Sequence, residues 1–176
     1  MEKLHLRENL ALVGFMGVGK TTVYETLGRM GLPGVDVDAL VVQLAGRSIP
    51  EIFAQEGEDV FRQWETQAIR QAAAGKGVVI SCGGGAVLRR ENVDALQATG
   101  KVVLLTATPE TILERLKEDD TRPNLRGRKT VAGVQELMDL RQAYYDAAAQ
   151  IVVATDGKTP EQVCREILAQ VDCAEI

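Results

Sequence analysis

The stretch "GFMGVGKT", Gly14 to Thr21, constrains this chain more than any other. It follows a short apolar run, "LALVGF" (10–15), and opens "KTTVYETLGRM" (20–30), which reads as a helix stopped by Gly31 and Pro33. A buried strand, a glycine-rich turn and a helix are therefore expected in direct succession. Every fixed position of G-x-x-x-x-G-K-[ST] is filled. Gly17 and Gly19 let backbone N–H groups turn inward, and the helix start adds its positive end. Such a loop encloses phosphate oxygens. The pattern assigns Gly14, Gly17, Val18, Gly19, Lys20, Thr21 and Thr22 to a nucleoside triphosphate. Lys20 reaches the β- and γ-phosphates as a point charge, and Thr21 offers a hydroxyl to Mg²⁺. The competing reading is a glycine-rich turn with a chance lysine.

Further short apolar runs alternate with helical patterns. "GVDVD" (34–38), "GVVISC" (77–82), "KVVLLTA" (101–107) and "IVVAT" (151–155) read as strands. Helices are expected at 39–46, at 48–75 in two pieces with Ser48 as cap and Gly57 as weak point, and at 89–100, 108–118, 134–150 and 159–171. Strands that are β-branched and apolar on both faces imply a parallel sheet covered on both sides. With 176 residues, no repeat and no linker, one domain over 1–176 is expected. Residues 119–133, "DDTRPNLRGRKTVAG", are charged and too long for an ordinary connection, so they are a candidate lid.

Composition removes several classes of function. A formal net charge of −5 and only one Trp, three Tyr and three Phe oppose a nucleic-acid surface. No apolar run approaches the roughly 20 residues of a membrane span, and the start lacks a signal-peptide pattern. Cys82, Cys164 and Cys173 are odd in number and irregularly spaced, which fits reduced thiols in the cytoplasm. His5 is the only histidine, so no His-based triad or multi-His metal centre can form. Nothing shows an apolar interaction stripe, and a monomer is expected.

Asp36 and Asp38 stand two apart in an otherwise apolar run, where burying two acids is costly. On a strand they would share a face at its carboxyl end, where open α/β sheets bind ligands. One acid can orient water on magnesium while the other takes the proton of a substrate hydroxyl. Alternatively, Asp38 caps the next helix and Asp36 is solvated. "SCGGGAV" (81–87) ends the third strand with three glycines, against which a substrate can lie, or which form a plain tight turn. Arg62 suits a carboxylate, and Glu65, three residues on, can hold it; both can equally be a solvated surface pair. Arg122 and Arg141 face the same choice, Arg122 within the expected lid.

Together "GFMGVGKTT", "DVD", "GRSIPEIFAQEGEDVFRQWE", "SCGGGAVLRRENVDAL", "TRPNL" and "LRQAYY" resemble the shikimate kinase family from Leu12 to about Val171. The resemblance implies a P-loop kinase fold similar to nucleoside monophosphate kinases, an α/β fold with a five-stranded parallel sheet in order 2-3-1-4-5 flanked by helices. It implies transfer of the γ-phosphoryl of ATP, with Mg²⁺, to the 3-hydroxyl of shikimate, in aromatic amino-acid synthesis. Carried over, Asp38 binds the acceptor hydroxyls and serves as base; Arg62 and Arg141 hold the carboxylate; Gly83, Gly84 and Gly85 line the substrate. Lys20 and Arg122 act at the phosphates, Arg115 flanks the adenine, and Asp36 and Ser81 act through magnesium-bound water. The substrate segment is about 38–66. The family's usual "RPLL" is here "RPNL", and the adenine-side loop "TDGKTPEQV" carries over no residue. The rival readings are a gluconate kinase of the same fold and a nucleotide-binding module without catalysis.

Overall fold

The computed structural model describes residues 4–116 and 130–175. Arg122 and positions 119–129 of the expected lid lie outside these residues. A short strand β1 (Leu4–Leu6) pairs antiparallel with β7 (Cys173–Glu175), a two-stranded ribbon that sequence patterning did not anticipate. The other five strands are β2 (Asn9–Val13), β3 (Gly34–Asp36), β4 (Val79–Ser81), β5 (Gly100–Thr106) and β6 (Ile151–Ala154). They form one parallel sheet in the order β3-β4-β2-β5-β6. Counted among themselves, the order is 2-3-1-4-5, as the resemblance implied.

The sheet is buried because β2 and β5 carry almost nothing polar. Leu10, Leu12, Val13, Val102, Val103 and Leu105 all enter the core, which is what helices on both faces of a parallel sheet require. The helices are α1 (Lys20–Arg29), α2 (Val37–Ala45), α3 (Ile49–Glu56), α4 (Glu58–Ala73), α5 (Arg90–Thr99), α6 (Pro109–Leu116), α7 (Val131–Ala148) and α8 (Pro160–Leu168). Ser48 caps α3, and Gly57, at φ 85°, divides α3 from α4. Thr159 opens α8 with a reciprocal capping box to Gln162. Asn9 is 2% exposed and fastens the amino end of β2. Its amide donates to the carbonyls of Ala73 and Gly75 and to Thr99, and accepts from the Val78 N–H.

Two expectations change. "GVDVD" is not one strand: β3 stops at Asp36, and Val37 already begins α2. The reason is local. The Asp36 side chain accepts from the N–H groups of Asp38 and Ala39, 2.9 and 3.3 Å away, and so starts a helix. The end of the expected lid is also helical, since Thr130 caps α7 by accepting from the Gly133 N–H.

Candidate active site

Register builds the site. Asp36 of β3 lies opposite Ser81 of β4, and Ser81 opposite Leu12 of β2, one residue from the strand end that feeds the phosphate loop. The carboxyl ends of three strands therefore open onto one cavity of about 400 Å³. Gly17, Gly19, Lys20 and Thr21 line it on one side; Asp36, Asp38, Ser81, Gly83 and Gly84 line it on the other. A second cleft of about 360 Å³, between α2 and the end of α4, has no basic residue in its walls and offers little to a phosphate.

The phosphate loop has the backbone its sequence calls for. Gly17 and Gly19 sit at φ 80° and 98°, which side chains disfavour. A Cβ on Gly14 would stand 2.5 Å from the Leu105 carbonyl oxygen, so only glycine lets the loop lie this close to β5. Val18 is buried beneath the loop, and Thr21 and Thr22 are exposed at the start of α1. Lys20 Nζ donates to the carbonyl oxygens of Gly14 and of Phe15, the latter at 3.0 Å. Arg115, on the last turn of α6, donates to the Gly17 carbonyl at 2.9 Å and so braces the loop.

The acid pair reaches the cavity by a route different from the expected one. Asp36 is a strand end and helix cap, whereas Asp38 is in the first turn of α2. They line one cavity because a strand turns into a helix between them, not because they share a strand face. Neither is buried: Asp36 is intermediate and Asp38 exposed, so the desolvation cost expected from their apolar surroundings is largely avoided. The capping alternative is also revised, since Asp36 is the cap and Asp38 is not.

Three successive glycines each face a different group. A Cβ on Gly83 would lie 3.4 Å from both Asp38 Oδ1 and Glu65 Oε2. One on Gly84 would lie 3.3 Å from Arg141 Nη1, and one on Gly85 would stand 2.6 Å from Arg62 Cζ. The Gly85 position tolerates no side chain while Arg62 stays where it is. Asp38, Arg62 and Arg141, more than 100 residues apart in sequence from first to last, are thus gathered along one strip of bare backbone. Tyr145 of α7 fixes that strip by donating its hydroxyl to the Gly84 carbonyl at 2.7 Å. Its role had no signal in the sequence beyond its place four residues after Arg141.

Arg62 and Glu65 do form the expected pair, Nη1 to Oε1 at 2.9 Å, and Glu58 adds a contact at 3.3 Å. This is no solvated surface pair, because Glu65 is fully buried. Its Oε2 has no hydrogen-bond partner. Burial raises the Glu65 carboxyl above the usual range, and the nearby Arg62 only partly offsets this. Burial, with Glu65 adding to it, pushes the Cys82 thiol up, so that group stays neutral beside the site.

The residues fit a nucleotide with a hard dication. Gly14, Gly17 and Gly19 bring no side chain into the phosphate loop, and Thr21, Asp36 and Ser81 supply hard oxygen donors at the same cavity. Such a donor set suits Mg²⁺ that keeps several waters.

Known proteins are similar to this chain in sequence and in fold. A family model for shikimate kinase matches residues 16–172. Shikimate kinase of Symbiobacterium thermophilum is 44% identical over 163 residues, 91% of this chain and 94% of that protein. The structure of shikimate kinase from Acinetobacter baumannii in complex with shikimate superposes with a TM-score of 0.84 at 32% identity, covering 93% of this chain and 92% of that one. A gluconokinase from Sinorhizobium meliloti is similar in fold alone, at 19% identity and a TM-score of 0.60, over 94% of this chain and 91% of its own. With a matched segment that runs from the phosphate loop through α8, this chain belongs to the shikimate kinase family.

Proposed function

We propose that this protein transfers the γ-phosphoryl group of ATP to the 3-hydroxyl of shikimate, a step of aromatic amino-acid synthesis. The observation that carries the reading is the strip Gly83–Gly85, where one acid and two guanidinium groups meet beside a phosphate loop. A carboxylated ring alcohol needs this set: planar forks for its carboxylate and an acid for its hydroxyl.

Arg62 and Arg141 grip the carboxylate of the acceptor, and the bare backbone of Gly83, Gly84 and Gly85 lets the ring lie flat against the strip. Asp38 accepts the proton of the hydroxyl as its oxygen bonds to phosphorus and the bond from phosphorus to the ADP oxygen breaks. The N–H groups of Gly17, Val18 and Gly19, with Lys20, Thr22 and the helix start, receive the phosphates. Thr21 directly, and Asp36 and Ser81 through water, would hold Mg²⁺, which when bound offsets charge on the phosphates. Arg122 supplies further positive charge at the transferring group, and Arg115 flanks the adenine. Residues 38–66 serve as the substrate segment and 119–133 as the lid of one kinase domain. We propose further that the enzyme is a cytoplasmic monomer. All three cysteines are free, in keeping with a reducing compartment. Among the described residues no helix is long and apolar enough to cross a membrane.

A coupled assay of ADP release, with and without shikimate, tests the proposal. ADP release that depends on shikimate is the expected result. Equal release without it would leave only a nucleotide hydrolase, and release driven by gluconate would favour the rival sugar-acid kinase.

A further inference from the structure

The phosphate loop is held from outside by a residue that its sequence pattern does not include. Thr155 follows β6 at the carboxyl end of the sheet and is 4% exposed. Its hydroxyl oxygen lies 2.9 Å from the Val18 carbonyl oxygen and 3.0 Å from that of Thr106, and accepts from Arg115 Nη1 at 3.2 Å. A threonine hydroxyl has a single proton to give. Either carbonyl can accept it, but the Val18 oxygen is the nearer, and the Thr106 oxygen already takes the Thr155 backbone N–H at 2.8 Å. The same Arg115 nitrogen donates to the Gly17 carbonyl. Two successive loop carbonyls, Gly17 and Val18, are thereby drawn outward, toward α6 and β6.

Across a trans peptide the C=O and N–H point in opposite directions. Holding the Val18 carbonyl on the outside turns the Gly19 N–H inward, toward the cavity that Gly19 lines. Gly19 itself, at φ 98°, has no side chain to resist other orientations of that peptide. A loop rich in glycine is free to flip, so it needs a clasp that is not part of it.

We infer that Thr155 is a positioning residue for the nucleotide: its hydroxyl, shared with Arg115, sets the Val18–Gly19 peptide so that its N–H is aimed at phosphate before any nucleotide arrives. This deepens the proposed function and rests on the loop's binding a nucleoside polyphosphate. The cost of losing such preorganisation falls on nucleotide binding and spares the acceptor strip, which Thr155 does not touch.

The test uses the full-length protein and ADP, titrated calorimetrically without acceptor, followed by steady-state kinetics. Thr155→Val keeps the volume and removes the hydroxyl; Thr155→Ser restores it. We expect Thr155→Val to weaken ADP about tenfold, as the loss of one buried hydrogen bond with its partner stranded would do. KM for ATP should rise in step while KM for shikimate stays within about twofold. Thr155→Ser should bind ADP as the wild type does. Thr155→Ala gives the same readout where the valine form does not fold. Equal ADP binding by wild type and Thr155→Val overturns the inference and leaves the kinase reading standing. Equal weakening of ATP and shikimate, or no rescue by serine, also overturns it in favour of a merely structural role. A wild type that binds no ADP brings down the kinase reading and the inference together.

Discussion

The nucleotide cradle and the acceptor strip nearly touch, since a Cβ on Gly84 would stand 3.6 Å from the Gly14 carbonyl oxygen, yet they are built on opposite plans. The cradle is contiguous. Eight successive residues, Gly14 to Thr21, form it, and neighbours such as Arg115 and Thr155 brace it from outside. The strip contributes little except room, and its chemistry comes from side chains on α2, α4 and α7. On the proposed function, the contiguous backbone device could serve many acceptors, whereas the strip furnished by distant helices sets the choice of substrate.

That contrast can be broken by substitution. The largest effect is expected at Lys20→Ala, which removes a fixed charge from the cradle and should lower kcat about 10³-fold with any acceptor. Near-normal turnover would show that the cradle does not act as a unit. Asp38→Asn should follow, with kcat down about 10²-fold or more while ADP titrates normally, because the loss is confined to the acceptor hydroxyl. A matching loss of ADP affinity would mean that the two halves are not separable. Arg62→Lys should raise KM for shikimate about tenfold and leave KM for ATP within about twofold, since an ammonium cannot replace a planar fork. The reverse pattern would move Arg62 out of the strip.

The smallest effect concerns stability. Burial raises the Glu65 carboxyl, so the folded chain keeps that proton to a higher pH than the unfolded chain does. Stability from this group is complete below the ordinary carboxylate range and is lost as pH rises through the raised value. Glu65→Gln has no such proton to lose. Its Tm relative to wild type should therefore climb between acid and neutral pH, while its affinity for shikimate drops as Arg62 loses an anionic partner. A Tm difference that is flat with pH would show that folding leaves the Glu65 carboxyl unshifted, and one that falls would show that the fold holds it charged.

The same contrast explains what could be read from sequence. The strand–loop–helix around Gly14 to Thr21 was legible because local spacing alone determines it. So were the parallel sheet and the break at Gly57, where periodicity and one glycine suffice. The meeting of Arg62 with Gly85 and of Arg141 with Gly84 was not, because tertiary contacts leave no spacing rule; the residues could be singled out one by one, but only the family resemblance brought them to one substrate. "GVDVD" misled because β-branched valines favour a strand, yet the Asp36 side chain offered the next two N–H groups a helical start. Thr155 gave no signal, and Tyr145 none beyond its place after Arg141, since a hydroxyl that meets a carbonyl across the fold looks like any other.

The small ribbon of β1 and β7 has a practical consequence. Leu4 pairs with Glu175, so the described stretch begins and finishes at one place. That place adjoins Asn9, where β2 starts, whereas the cavity opens beyond the opposite tips of the parallel strands. Fusion partners, purification handles or attachment to a solid support at either extremity would stand a full sheet's length from the chemistry, and immobilised enzyme should turn over as it does in free solution.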